Sequence, residues 1–235
     1  MVHWILIGVG ATLLLNSGTG AGAFATGQYR NLFAEAGHPA EQATAKTDAA
    51  FQQLFHGDPN TQTVYYPAGT NANGLLAYLT DVANRDVRSE GMSYGMMIAV
   101  QMNKKAEFDA LWNWAKTFMY RDQEGHPGRG YFSWSLNTNG KPRDEMPAPD
   151  GEEYFVMSLY FAAHRWGNGA GIYNYHAEAD RILTDMVHRP VVTGPTSRGT
   201  RTAGPMFNVE QAMIRFTPDR DFTDPSYHLP AFCEL

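Results

Sequence analysis

At 235 residues with 43% apolar side chains, the chain is too hydrophobic for intrinsic disorder and has the size of one domain or a piece of a larger one. A formal net charge of -6 without a run of like charges argues against nucleic acid or an anionic membrane surface as partner. Aromatic residues, 13% of the chain, serve either a packed core or a site that stacks on flat ligands.

Residues 1–25 read as a secretory leader: an apolar stretch from Trp4 to Leu15, a small polar spacer, and Ala23-Phe24-Ala25 as a cleavage site, with the mature chain starting at Thr26. The leader lacks Lys or Arg at its start, which raises a membrane anchor as the alternative. The apolar run is too short to span, since a bilayer asks for about 20 such residues, so no stable membrane insertion is expected once the leader is removed. The expected location is secreted or periplasmic. Cys233, the lone cysteine, offers no disulfide and reads as a small core residue.

A helix is expected over Ala40 to Phe55, ended by His56-Gly57-Asp58-Pro59-Asn60. Thr61 to Gly74 reads as a loop with one extended segment, Thr63-Val64-Tyr65-Tyr66. The stretch Ser89-Glu90-Gly91-Met92-Ser93-Tyr94-Gly95-Met96-Met97 follows, with Ser89 as N-cap, Tyr94 and Met97 on the face of Glu90, and Gly91 and Gly95 on a second face open to close approach. From Met92 to Val100 it has no polar stripe, which marks an inner helix. Lys105 to Tyr120 is amphipathic, with Glu107, Asp109, Asn113 and Lys116 on the polar side, and reads as an outer helix.

Arg121 to Pro149 is long, rich in Gly, Pro and Asn, and free of helical period, as functional loops often are. Asp150-Gly151-Glu152-Glu153 opens a second inner helix through Ala163, and Ile172 to His188 reads as another outer helix. Val191 to Asp221 is mostly loop, with a helical turn expected within Asn208 to Ile214. A third inner helix, Leu229 to Leu235, follows Pro225-Ser226-Tyr227. Inner apolar helices alternating with outer amphipathic ones describe an all-α, two-layer helical barrel; a plain bundle is the simpler alternative.

Glu90 is an acid at the mouth of a buried helix, although acids are favoured in any first helical turn by the partial positive charge there. A helix N-terminus lowers a carboxyl pKa, whereas a proton donor near neutral pH needs it raised, so aromatic walls and a second acid are required nearby. Asp150 is that second acid. Read locally, Asp150 with Glu153 is a capping box; read functionally, the two acids pair as glycosidic bond cleavage requires. Trp134 reads as a sugar platform or a loop anchor, Tyr227 as a substrate contact or a buried helix-start aromatic, and Asp224 as a turn residue or N-cap.

His176, Glu178 and Asp180 are spaced by two on a predicted helix, so they are expected on different faces, unlike a zinc-protease pair. There is no Walker loop, nucleophile elbow or dinucleotide fingerprint, and neither metal nor other cofactor is expected.

Arg88-Ser89-Glu90-Gly91-Met92-Ser93-Tyr94-Gly95-Met96, Ala148-Pro149-Asp150-Gly151-Glu152-Glu153-Tyr154 and Asp224-Pro225-Ser226-Tyr227 together resemble the family 8 glycoside hydrolases, from about Thr26 to Leu235. Ala25-Thr26-Gly27-Gln28-Tyr29-Arg30-Asn31-Leu32-Phe33 and Pro225-Ser226-Tyr227-His228-Leu229-Pro230-Ala231-Phe232 are most similar to the reducing-end xylose-releasing exo-oligoxylanases of that family. The resemblance implies an (α/α)6 barrel and hydrolysis of β-1,4-linked xylo-oligosaccharides with inversion. It implies Glu90 as general acid, Asp150 as the aspartate that binds the distorted sugar beside the scissile bond, and Trp134 and Tyr227 as aromatics of that subsite.

The family's base aspartate lies in a Tyr-Asp-x-x-Arg-x-Pro-like segment, and nothing in this chain matches it. With about six long helices against the twelve of a closed barrel, residues 26–235 are expected to be the N-terminal part of such a domain, poorly soluble and inactive when expressed alone. The alternatives are a carbohydrate-binding fragment without activity and a relative acting on β-glucan, cellulose or chitosan.

Overall fold

The computed structural model describes residues 29–235; the leader expected over residues 1–25 lies outside them. The chain divides into two units, Met1–Ala43 and Thr44–Leu235. In the described part of the first, a short helix α1 (Leu32–Glu35) is capped by the Asn31 side chain, which accepts from Ala34 N at 3.0 Å. Helix α2 (Ala40–His56) runs one residue beyond the expected end at Phe55, and buries Phe51 and Phe55 while Leu54 stays exposed.

In the second unit, strands β1 (Tyr65–Asn71) and β2 (Gly74–Leu79) form an antiparallel hairpin turned at Gly74, which has φ +120° and thus a backbone that favours glycine. Helix α3 (Ser89–Gln101) is preceded by β3 (Val87–Arg88), and α4 (Lys105–Trp114) runs into a π-helical turn over Ala115–Met119. Asn103 closes α3 in the left-handed region (φ +58°), with Lys104 N bonded to Ala99 O at 2.8 Å. The long segment that follows holds only β4 (Ser135–Leu136) and β5 (Pro142–Asp144), which join β3 in a three-stranded sheet. Helix α5 (Pro149–Trp166) starts with proline in its first turn and stops at Gly167, φ +77°. Helix α6 (Tyr175–His188) ends before Arg189-Pro190, and the hairpins β6–β7 (Val192–Thr196, Gly199–Ala203) and β8–β9 (Phe207–Asn208, Met213–Ile214) complete the region.

The core is aromatic. Phe132 lies 4.7 Å from Phe155 and 5.8 Å from Trp112, and Phe108 meets Tyr175 edge-on at 5.6 Å, so α4, α5, α6 and the 121–149 segment share one apolar interior. Helix α3 packs on α5, and α5 on α6.

Several expectations need correction. The chain is helix-rich but not all-α among its described residues, because Gly-, Pro- and Asn-containing turns close hairpins where loops were read. Residues 208–214 form a hairpin and not a helical turn. Helix α4 is not exposed on its polar side: Asn113 is fully buried under the β1–β2 hairpin, donating to Asn71 Oδ1 at 2.9 Å and Leu75 O at 3.0 Å. The third inner helix is only α7 (Pro230–Glu234), which buries no residue, and Cys233 is exposed and not a core residue. His176 and Asp180 do share a face, His176 Nδ1 lying 3.0 Å from Asp180 Oδ2, because a separation of four is one helical turn. Glu178 turns away to Lys116 and Arg181.

Candidate active site

Helices α3 and α5 begin side by side. The Gly151 Cα comes so close to α3 that a Cβ there would stand 2.6 Å from Ser89 Oγ, which places the first turns bearing Glu90 and Asp150 against one another. Strand β3 delivers Glu90 to this point. Arg88 pairs with Ser135, and Ser89 N donates to Trp134 O at 3.0 Å, so the ladder that starts α3 also holds the backbone of Trp134. Trp134 N in turn donates to Met146 O at 2.9 Å.

Neither helix is capped by the route expected from sequence. Ser89 is the first helical residue and not the N-cap; Arg88 occupies the cap without a side-chain bond, and Ser89 Oγ donates to Glu90 Oε2 at 3.3 Å. Ala148 is the cap of α5, also without a side-chain bond, so the Asp150–Glu153 capping box does not form. Asp150 Oδ2 instead accepts from the Tyr94 hydroxyl at 3.2 Å, while Oδ1 is buried with no partner among the described residues.

Burial sets the electrostatics. Asp150 is 7% exposed, and its carboxyl is pushed up to about 7, first by burial and then by the charge of Glu90, with the Tyr94 bond working against both. Burial also raises Glu90, opposed by its hydrogen bonds and by the Arg88 charge. At the mouth of α3 burial thus outweighs the helix terminus, and the Glu90 carboxyl is raised. Two further acids extend the group: Glu153 is pushed up to about 8 by burial and by Asp150, and fully buried Glu152 is raised well above the usual carboxylate range.

Aromatic rings surround the pair. Tyr94 meets Tyr154 edge-on at 4.5 Å, and Tyr154 meets Phe232 at 4.8 Å. Tyr227 stands in a 3-10 turn (Pro225–Tyr227) whose cap is Asp224, accepting from Ser226 N at 2.9 Å, in line with its reading as turn residue and N-cap. One face of Tyr227 stacks on Phe216 at 5.4 Å, and burial, then the charges of Asp150 and Glu90, raise its phenol. Trp134 is partly exposed, with the Arg88 guanidinium 5.4 Å from its ring. Arg88 is itself held by Asp86, 3.1 Å from its Nε.

The structure therefore brings the first turns bearing Glu90 and Asp150 together, leaves Tyr227 within reach of both charges, and fastens the Trp134 backbone to the start of α3. Sequence reasoning missed the Tyr94–Asp150 bond, although the i+4 spacing from Glu90 already put Tyr94 on the right face. It also missed Glu152, whose signal was a third acid in a helix otherwise apolar on every side. Among the described residues no group of His, Cys, Asp or Glu could hold a metal ion, and no helix is long and apolar enough to cross a membrane.

Paired carboxylates of raised pKa flanked by aromatic rings are the side-chain set that glycoside hydrolysis draws on. The chain belongs to glycoside hydrolase family 8, whose model matches residues 72–235. It is 44% identical over 217 residues to a reducing-end xylose-releasing exo-oligoxylanase of Paenibacillus barcinonensis, covering 92% of this chain and 53% of that protein. Among solved structures, a family 8 xylanase of Teredinibacter turnerae, a catalytic mutant in complex with xylohexaose, is 62% identical with a TM-score of 0.88, covering 91% of this chain and 55% of that one. A reducing-end xylose-releasing exo-oligoxylanase superposes with a TM-score of 0.79 at 43% identity, over 91% of this chain and 52% of that one. The chain spans about half the length of the curated relatives it matches.

Proposed function

We propose that this chain carries the acid half of a secreted, inverting glycosidase that cleaves β-1,4-linked xylo-oligosaccharides, built as part of an (α/α)6 barrel. The observation that carries the reading is the meeting of Glu90 and Asp150, both raised by burial, at the adjoining first turns of two packed helices. Glu90, partly exposed, gives its proton to the departing sugar oxygen. Asp150, steadied by Tyr94, binds the ring beside the scissile bond. Trp134 and Tyr227 present flat apolar faces to the sugar. Inversion calls for a base roughly 6.5–9.5 Å from the acid with a water between them. No residue of this chain is assigned that role.

The test is titration calorimetry of the 235-residue protein with xylohexaose, joined to NMR of product anomers in a form extended to the relatives' length. Binding, turnover with inverted configuration, and loss of turnover in Glu90→Gln are expected. Retained configuration, or a Glu90→Gln variant that turns over normally, would overturn it. A second reading, binding without cleavage, is favoured by the unmatched base segment; it predicts xylohexaose affinity with no product in the extended form as well.

A further inference from the structure

Residues 131–134, which end in Trp134, are pinned through every amide. Tyr131 N donates to Gly128 O at 3.0 Å, Ser133 N to Met119 O at 2.8 Å and Trp134 N to Met146 O at 2.9 Å. Phe132 differs: its N–H donates to a side chain, Glu152 Oε1, at 2.8 Å. Glu152 is 0% exposed, and its Oε2 has no partner among the described residues. An apolar residue at this place would fill the space without the desolvation that a buried carboxyl carries. What an apolar residue lacks is an acceptor for the Phe132 amide. Burial raises the Glu152 carboxyl and the Phe132 amide bond opposes that, while Oε1 receives the amide as a backbone carbonyl would.

Its place in α5 gives that bond reach. Asp150 lies two residues earlier, and Gly151 between them touches Ser89. Trp134 O accepts from Ser89 N, closing a circuit from Glu152 through Phe132 and Trp134 to the residue before Glu90. We propose that Glu152 is a positioning residue for the sugar site, fixing Trp134 and the start of α3 in register with Asp150 through the Phe132 amide. This rests on the reading of Glu90, Asp150 and Trp134 as that site.

The experiment compares Glu152→Gln, Glu152→Met and, as a control for lost stability alone, Leu159→Ala, a fully buried residue farther along the same helix. Three quantities are measured in the 235-residue protein: amide hydrogen exchange at Phe132, the Trp134 indole and backbone NMR shifts without sugar, and the affinity for xylohexaose. Glu152→Gln keeps an acceptor for Phe132 and is expected to match the parent in all three. Glu152→Met is expected to release the Phe132 amide, shift the Trp134 signals and weaken xylohexaose about tenfold or more. Leu159→Ala is expected to lower the melting temperature with Trp134 shifts and affinity unchanged. Unshifted Trp134 signals in Glu152→Met overturn the proposal whether or not sugar binds, as does a Leu159→Ala variant that loses affinity in step with stability. If the parent does not bind xylohexaose, the sugar-site reading falls by itself, and the Trp134 shifts still decide whether Glu152 positions that residue.

Discussion

The Tyr94 hydroxyl donates to Asp150 Oδ2 at 3.2 Å across the seam between helices α3 and α5, one helical turn beyond Glu90. This bond favours the ionised form of Asp150, against burial and the nearby charge of Glu90, which favour the neutral one. Removing it in Tyr94→Phe should move the Asp150 carboxyl above about 7. Xylohexaose binding should weaken roughly tenfold, the scale of one hydrogen bond to a charged group. Carboxyl-carbon NMR titration of parent and variant reads the shift; an unmoved midpoint would show that Tyr94 does not act on Asp150.

Stability should fall as pH rises through neutrality. Asp150 and Glu153 titrate higher folded than unfolded, about 7 and about 8 against ordinary values of 3.8 and 4.5, so the folded state holds their protons more tightly. Neither acid opposes folding below its unfolded value. The penalty grows upward from there and is complete once pH passes the folded value. Each contributes about 1.4 kcal/mol per pH unit of displacement. Melting curves should show lower stability at pH 8.5 than at pH 5.5, and Glu153→Gln should flatten that slope. A melting temperature that climbs from acid to alkali would contradict the assignment.

Three glycines separate packing from open space. A methyl at Gly151 meets Ser89 Oγ at 2.6 Å and the Ser89 backbone at 3.2 Å, and one at Gly95 meets Leu79 and Leu111. Alanine at either should destabilise by about 1–3 kcal/mol through overpacking. Gly91, one turn from Gly95, has nothing within 4 Å. Gly91→Ala should therefore stabilise the helix by up to about 1 kcal/mol. Urea denaturation of the three variants gives the order directly, and equal losses at all three would refute it.

Trp134→Ala should weaken xylohexaose roughly five- to tenfold, the worth of one aromatic platform, because the backbone bonds that place residue 134 survive the change. Calorimetric titration checks it. Wild-type affinity in the variant would leave Trp134 as an anchor for Arg88 and no more.

Long periodic segments were readable because hydrophobic spacing is local. Helix α6 ends at His188 as Arg189-Pro190 requires, and α2 ends at His56, one residue past the expected Phe55. Glu90 and Asp150 could be chosen from sequence because each is an acid where an apolar helix begins. The hairpins were not readable as such: β1–β2 and β6–β7 contain Pro67 and Pro195, and their register depends on partners rather than on alternation. Asn113 was read as solvent-facing because nothing in its own helix announces a hairpin whose carbonyls receive its amide.

Taken alone, the order of residues determined which acids and aromatic rings are available and which segments coil, since helix period, first-turn acids and glycine stops act over a few neighbours. Only tertiary packing decided the state and company of those acids. Desolvation and charge depend on what other segments press against a carboxyl: Tyr94 reaches the first turn of α5 from α3, and Phe132 reaches it from the 121–149 segment.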